Sequence, residues 1–132
     1  MNILNGEIES VQVNGSLSLV KIKLGEVRLT SIVIDTPESS SYLKVQNKVK
    51  VIFKETEVIL GHGENLPISL QNKIIGTVDS IESGALLSKV IIKTPIGFIT
   101  SIITSNAVRQ LEIKQGAQVT AMIKTNEMML SA

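Results

Sequence analysis

The chain has 132 residues, enough for one ordinary domain or two very small ones, and it lacks cysteine, which excludes disulfides, thiolate metal ligands and a thiol nucleophile. Hydrophobic residues make up 43% and aromatic residues only 2%, so the core has to be aliphatic, and its many β-branched residues favour strands. The 13 basic residues nearly balance the 12 acidic ones, a composition that does not favour nucleic acid as a partner.

Alternating apolar residues predict the first three strands. Gly6–Val13 is the first, and the Asn14-Gly15 pair after it is typical of a hairpin turn. Val20–Leu24 alternates apolar residues with lysines, as a half-buried strand does. After a turn at Gly25-Glu26, Val27–Ile34 is predicted to be the third strand.

The next stretch predicts a bend, a short helix and two closing strands. The apolar residues of the third strand change face at Thr30-Ser31, which predicts a β-bulge or a sharp bend. Thr36-Pro37-Glu38 combines a hydroxyl cap, a proline and an acid, the pattern of a helix start. Val49–Phe53 and Val58–Leu60 are predicted to be the closing strands. Five short strands and one short helix correspond to an OB-like barrel.

The chain repeats itself without gaps at an offset of 70 residues. Roughly a quarter of the aligned positions are identical, which indicates a duplicated structural unit. The identical pairs include Asn2 with Asn72, Gly6 with Gly76, Thr30-Ser31-Ile32 with Thr100-Ser101-Ile102, and Lys54 with Lys124. The sequence therefore predicts an all-β fold of two tandem five-stranded OB-like barrels, each with one short helix.

The two units are predicted to span residues 1–61 and 71–132, with 62–70 as the linker. His62–Pro67 carries the Gly and Pro that linkers favour. A unit of about 60 residues buries only a modest fraction of its surface, so we expect the copies to pack on each other and on other chains.

Two features predict a cytoplasmic protein without a membrane span. Met1–Glu7 has no basic segment followed by an apolar stretch, so no signal peptide is expected. A membrane helix needs about 20 consecutive apolar residues, and no apolar run in the sequence is nearly that long.

Nothing in the sequence favours an enzyme. The one histidine, His62, falls in the linker, which leaves no Ser/His/Asp triad, and we interpret it as a solvated residue. The acidic residues are scattered, without the spacing of metal ligands. With so few aromatics to stack on bases, the lysines of the second strand are interpreted as a solvated face. A binding protein is the expectation.

Three segments carry the donors that an oxyanion needs, namely backbone N–H groups, hydroxyls and a cation. Ile103–Asn106 lies where a strand runs into the predicted second helix, Lys124-Thr125 lies between the last two strands, and Ser69–Asn72 leads into the second unit. Each also has an ordinary structural interpretation, as a helix cap, a surface lysine or a linker, and the residues alone leave both interpretations open.

The same segments carry motifs of one family. Ser69–Gly76 is similar to an opening Ser-Ala-Arg-Asn-Gln-Leu-x-Gly motif, Thr100–Thr104 to a Thr-Ser-Ile-Ile-Ser/Thr strand, and Val119–Thr125 to a Leu-Thr-Ala-Val-Ile-Lys-Ser/Ala closing strand. In this combination both units resemble Mop domains, the molybdate-binding modules of molbindins, which are related to the TOBE domains of molybdate regulators and transporter ATPases.

The resemblance implies a tandem molbindin that assembles as a homotrimer and binds molybdate or tungstate at interfaces between units. Carried over by position, the implied ligand set is Ser69, Gln71, Thr104, Ser105, Lys124 and Thr125 in the second unit and Lys54 in the first. No catalytic residue and no metal-ion ligand is implied.

Several positions depart from the family pattern. Gln71 occupies the arginine position, Ala107 a serine position, and Ile34 the threonine position of the first unit. Asp35 and Glu55 would repel a dianion in the first unit, which also starts too late for the opening serine and arginine. The first unit is therefore expected to be structural, with fewer working sites than the family carries.

Two functions are open at this point. One is a cytoplasmic molybdate- or tungstate-binding protein for storage or homeostasis. The other is a ligand-free interaction or scaffold module of the TOBE type, which Gln71, Ala107 and the altered first unit favour. The sequence does not distinguish molybdate from tungstate or from a molybdopterin species.

Overall fold

Ten strands and one short helix make up the fold in the computed structural model, which describes residues 1–132. The strands are β1 (Asn2–Asn14), β2 (Leu17–Leu24), β3 (Val27–Val33), β4 (Lys48–Phe53), β5 (Ile59–Gly61), β6 (Asn72–Ser83), β7 (Leu87–Thr94), β8 (Gly97–Thr104), β9 (Gln118–Ile123) and β10 (Met129–Ser131). The helix α1 spans Ser105–Gln110, and 3-10 turns span Glu55–Glu57 and Thr125–Glu127. The predicted all-β class with two five-stranded sheets is confirmed.

The two sequence units exchange their last strands. One antiparallel sheet has the order β10-β4-β1-β2-β3 and the other the order β5-β9-β6-β7-β8. Leu60 of β5 pairs with Ala121 of β9, and Leu130 of β10 pairs with Val51 of β4. Each unit therefore completes the sheet of the other, and the limits 1–61 and 71–132 stay a prediction about sequence units.

One aliphatic core joins both sheets. A single cluster of 22 buried hydrophobic residues includes Val20 and Phe53 from the first unit and Ile92 and Ile123 from the second. Full burial of one such side chain contributes about 1.5–3 kcal/mol. The expected packing of the copies on each other therefore results from a shared core.

Polar side chains link the units reciprocally, in a zone that we call the seam. The amide of Asn2 donates to the carbonyl of Thr100 and accepts from its N–H, both at 2.8 Å, and Asn72 binds Thr30 in the same way at 2.8 and 2.7 Å. The strands that they contact, β3 and β8, lie at sheet edges, where an amide side chain replaces the missing neighbouring strand.

Two buried serines complete the seam. The Ser31 hydroxyl donates to the carbonyl of Met128 at 2.5 Å, and the Ser101 hydroxyl donates to that of Val58 at 2.8 Å. Because Val58 and Met128 precede the exchanged strands, each serine holds the segment that crosses over. The seam thus accounts for the repetition of Asn, Thr and Ser at these positions of the two units.

The predicted bulge at Thr30-Ser31 is wrong. The β2–β3 register runs without a shift, Leu29 and Ser31 both point inward, and Ile32 is exposed. The apolar pattern is misleading here because Ser31 is a polar core residue whose hydroxyl has a partner in the other unit. The irregularity occurs instead in β1, between Ile8 and Ser10, and at the equivalent place in β6.

Only the second unit contains the predicted helix. At Thr36-Pro37-Glu38 the first unit forms turns, in which the Thr36 N–H donates to the Ser39 hydroxyl at 2.9 Å. A serine hydroxyl that binds the local backbone competes with a helix. In the second unit, Val108 and Leu111 pack against the core and hold α1.

Candidate functional site

Lys124, Thr125 and Gln71 lie where the second unit meets β3 of the first. Asn72 and Ile123 form the last pair between β6 and β9, so Gln71 and Lys124 come next at the same end of these strands. The 3-10 turn that starts at Thr125 packs against β3. We call this group, together with the exposed Ser69 just upstream, the Lys124 site.

The reciprocal location places Lys54 and Glu55 against the second unit. The 3-10 turn that starts at Glu55 packs against β8, and Lys54 immediately precedes it. Thr104 ends β8, two residues and about 7 Å beyond Ile102 along the strand. We call Lys54, Glu55 and Thr104 the Lys54 site.

Glu55 is surrounded by cations. Its Oε1 atom accepts a hydrogen bond from the N-terminal ammonium of Met1 at 2.6 Å. That bond lowers the pKa of the Glu55 carboxyl, and the nearby charge of Lys89 acts in the same direction. Lys89 pairs with Ile102 across β7 and β8, and its ammonium lies 3.9 Å from the carboxylate of Glu82 while its charge also acts on Glu55. The equivalent position of the first unit is Leu19, so the repeat gave no signal for Lys89.

Thr104 and Ser105 have structural partners. The Thr104 hydroxyl oxygen accepts from the Ala107 N–H at 3.1 Å and so caps α1. Ser105 is 4% exposed, and its hydroxyl contacts the Ser88 hydroxyl and the Gly84 carbonyl, both at 2.7 Å. Ser105 therefore fastens the start of α1 to the hairpin between β6 and β7.

The predicted ligand set does not gather in one place within a single chain. The turn that follows Lys124 packs on β3, whereas Thr104 is the last residue of β8, the strand on which the turn with Glu55 packs. The residue that occupies the Thr104 position next to Lys124 is Ile34, whose side chain is 81% exposed. This division follows from the strand exchange, because each closing segment crosses to the other unit.

The linker covers the outer face of the second sheet. The Thr120 hydroxyl donates to the Gly63 carbonyl at 2.6 Å, and the Lys73 ammonium donates to the Leu66 carbonyl at 2.7 Å. The exposed His62 places Nε2 2.6 Å from the Leu111 carbonyl. His62 therefore anchors the linker.

The structure contains no helix with the length and hydrophobicity needed to cross a lipid bilayer.

Comparison with known proteins places these features in a family. The TOBE domain family matches residues 68–130. Molybdenum-pterin-binding protein 1 of Clostridium pasteurianum is 35% identical over 68 residues, which are 51% of this chain and 100% of that protein. Molybdenum-pterin-binding protein 2 of the same organism is 34% identical over the same share of each chain.

One solved structure matches almost the whole chain. It is the cytoplasmic molybdate-binding protein ModG in a form with molybdate bound, with a TM-score of 0.90 and 28% identity, over 99% of this chain and 95% of that one. These relatives are named for what they bind, in agreement with the expectation of a binding protein rather than an enzyme. The chain is therefore a member of the molybdenum-pterin-binding (Mop) family, with the tandem Mop/TOBE architecture of a molbindin.

Proposed function

We propose that this protein binds molybdate at the Lys124 site. The observation that carries the proposal is the similarity to molybdate-bound ModG over 99% of the chain. The site adds suitable chemistry at the end of the seam, since Lys124, Thr125 and Gln71, which carry an ammonium, a hydroxyl and an amide, follow the last β6–β9 pair at the same end of these strands.

A tetrahedral dianion is a good guest for this donor set. Lys124 supplies a charge-assisted hydrogen bond, which is roughly twice as strong as a neutral one. Thr125 and Ser69 supply hydroxyl donors, and Gln71 supplies amide N–H groups. In this proposal Lys54, Thr104 and Ser105 contribute less, because Lys54 adjoins Glu55 and the two hydroxyls have protein partners.

Binding at an interface between chains fits the exposure of the donors. Lys124 and Gln71 are exposed in one chain, where water weakens their attraction for an anion. Nearby apolar side chains are also uncovered, Ile32 by 38% and Ile34 by 81%. A contiguous exposed apolar patch is typical of an interaction site. A homotrimer that covers this patch would exclude water from the site. Native mass spectrometry with and without molybdate tests whether that trimer forms.

The finer points of the proposal concern the ligand and its role. Tungstate has the same charge and shape as molybdate and should compete with it. A storage or homeostasis role in the cytoplasm accords with the cytoplasmic description of ModG. The cellular molybdenum content of strains with and without the protein measures that role.

Equilibrium titration with molybdate, tungstate and sulfate tests the binding function. We expect Lys124→Ala to weaken molybdate binding at least about tenfold, since it removes the charge-assisted bond. Lys114→Ala is the matched control, because Lys114 is also exposed but lies in the loop before β9. Absence of binding to the parent protein at micromolar molybdate would contradict the proposal.

A ligand-free interaction module is the second candidate. It is favoured by Ile34 in the threonine position and by the Ser105 hydroxyl being fully engaged. Thermal melts separate the two functions, because a ligand at a hundred times its Kd stabilises the folded state by about 2.7 kcal/mol. An unchanged melting temperature in excess molybdate would favour the module.

A further inference from the structure

We propose that Glu55 closes the Lys54 site to oxyanions, so that the two reciprocal sites of one chain differ in occupancy and only the Lys124 site is filled. This inference rests on the proposed function. Its basis is the reciprocal packing, which places Glu55 on the second unit where Thr125 lies on the first.

The two sites are built alike. Each consists of a lysine followed by a 3-10 turn, and each turn packs on the edge strand of the other unit. Lys54 and Lys124 are extended in the same way before their turns, with φ of −74° and −69° and ψ of 145° and 144°. A difference in binding therefore has to arise from side chains and not from the backbone.

The Lys54 site is the richer of the two in cations. It has Lys54 and the charge of Lys89, which acts on Glu55 although the Lys89 ammonium also lies 3.9 Å from Glu82. The corresponding residues around Lys124 are Leu19 and Ile34, which supply neither charge nor hydroxyl. The carboxylate of the next residue, Asp35, accepts a hydrogen bond from the Ser39 hydroxyl at 3.3 Å. Without Glu55 the Lys54 site would be the more attractive for a dianion.

The carboxylate of Glu55 supplies the negative charge that a bound dianion would otherwise supply at this site. Its carboxylate already accepts a short hydrogen bond from the Met1 ammonium and faces Lys89, so the cations have an anion that belongs to the chain. A dianion at contact distance from the carboxylate would be repelled, and the repulsion grows as an interface between chains excludes water from the site. Thr125 has no charge and offers a hydroxyl instead.

The test exchanges the two residues. In equilibrium dialysis against molybdate, Glu55→Thr should add one bound molybdate per chain to the number bound by the parent, and Glu55→Gln should add a weaker one. Thr125→Glu should remove one. Because each side chain occurs naturally in the other turn, both turns accommodate either residue, and circular dichroism verifies the fold of each variant.

Glu57→Gln is the matched control. Glu57 belongs to the same turn as Glu55, and Glu127 repeats it in the other unit, so it cannot account for a difference between the sites. The control should leave the number of bound molybdate ions unchanged. If Glu57→Gln adds as much binding as Glu55→Thr, or if Glu55→Thr adds none while the parent binds, the inference is wrong. If the parent binds no molybdate, the proposed function itself fails.

Discussion

The two units are alike where they touch each other and differ where a ligand would reach them. Asn2 with Asn72 and Ser31 with Ser101 are identical pairs, and all four make the reciprocal bonds of the seam. Beside the seam, the two units differ: Glu55 of the first unit aligns with Thr125 of the second in the repeat. The comparison teaches that mutual closure of the barrels constrains the polar seam in both units, whereas the neighbouring surface is free to diverge.

The outer faces of the two sheets differ as well. Thr120 and Met122 point outward yet are buried, because the linker lies over them. Their counterparts in the first unit have no such cover: Lys50 is exposed and Ile52 is half-buried. A groove of about 590 Å³ stays open there and is lined by lysines and glycines. The linker over one of the two sheets is sufficient to make equivalent surfaces unequal.

Loss of a seam asparagine should have the largest effect on stability. Asn72→Ala removes both partners of Thr30, and we expect it to lower the free energy of unfolding by about 2–4 kcal/mol. Asn2→Ala should cost a similar amount through Thr100. Urea unfolding measures both, with the exposed Asn5→Ala as a control that changes stability by less than about 0.5 kcal/mol. If only one of the two variants has a much lower free energy of unfolding, the two asparagines do not make equivalent contributions to the seam.

The repeated glycines should show an unequal cost. An added Cβ at Gly76 would lie 2.5 Å from Ile92 Cγ2 and 2.7 Å from the Lys93 carbonyl oxygen, which is backbone and cannot yield. At Gly6 the close atoms belong only to the side chains of Ile22 and Leu24. We expect Gly76→Ala to cost about 3 kcal/mol and Gly6→Ala about 1 kcal/mol, measured by thermal unfolding. Equal costs would mean that the β7 backbone adjusts freely.

The buried serines should each contribute a moderate and similar amount. Ser101→Ala leaves the Val58 carbonyl without its partner, and Ser31→Ala does the same to Met128. Each change is expected to lower stability by about 1–2 kcal/mol in urea unfolding. Ser83→Ala, at the exposed end of β6, serves as the control. No loss in either variant would indicate that water replaces the hydroxyl.

The smallest effect should be a pH dependence that only one site shows. The pKa of Glu55 is lowered by the bond from the Met1 ammonium, so its stabilisation is present above the unfolded-state pKa of about 4.3 and is lost as the pH falls through the folded-state pKa. The melting temperatures of the parent and Glu55→Gln should therefore converge only as the pH falls below the folded-state pKa, which lies below the unfolded-state value. Thr125→Val carries no charge change, and its difference from the parent should stay constant with pH.

The sequence predicted much of the fold because strands and repeats leave local signals. Alternation in Val20–Leu24 and the Asn14-Gly15 turn lie within one hairpin and are visible at short range. The strand exchange left no such signal. A three-residue strand such as β5 has the same apolar pattern whichever sheet it joins. The inward position of Ser31 was misread for a related reason, since its partner Met128 is 97 residues away.

The site was predictable only in part for the same physical reason. Lys124 and Thr125 are neighbours in sequence, and their role as ligands stays a prediction. Thr104 was grouped with them because it belongs to the same unit, yet crossing of the closing segments separates them. Lys89 was missed because it approaches Glu55 only through that crossing.

The exchange of last strands also sets the order in which the molecule can be completed during synthesis. The first barrel needs β10, and β10 lies at residues 129–131, so that barrel stays unfinished until these residues have left the ribosome. Until then the β4 edge is unpaired, and unpaired edges recruit strands from other nascent chains. Tandem duplication keeps the missing strand on the same polypeptide, where its effective concentration at the β4 edge is high.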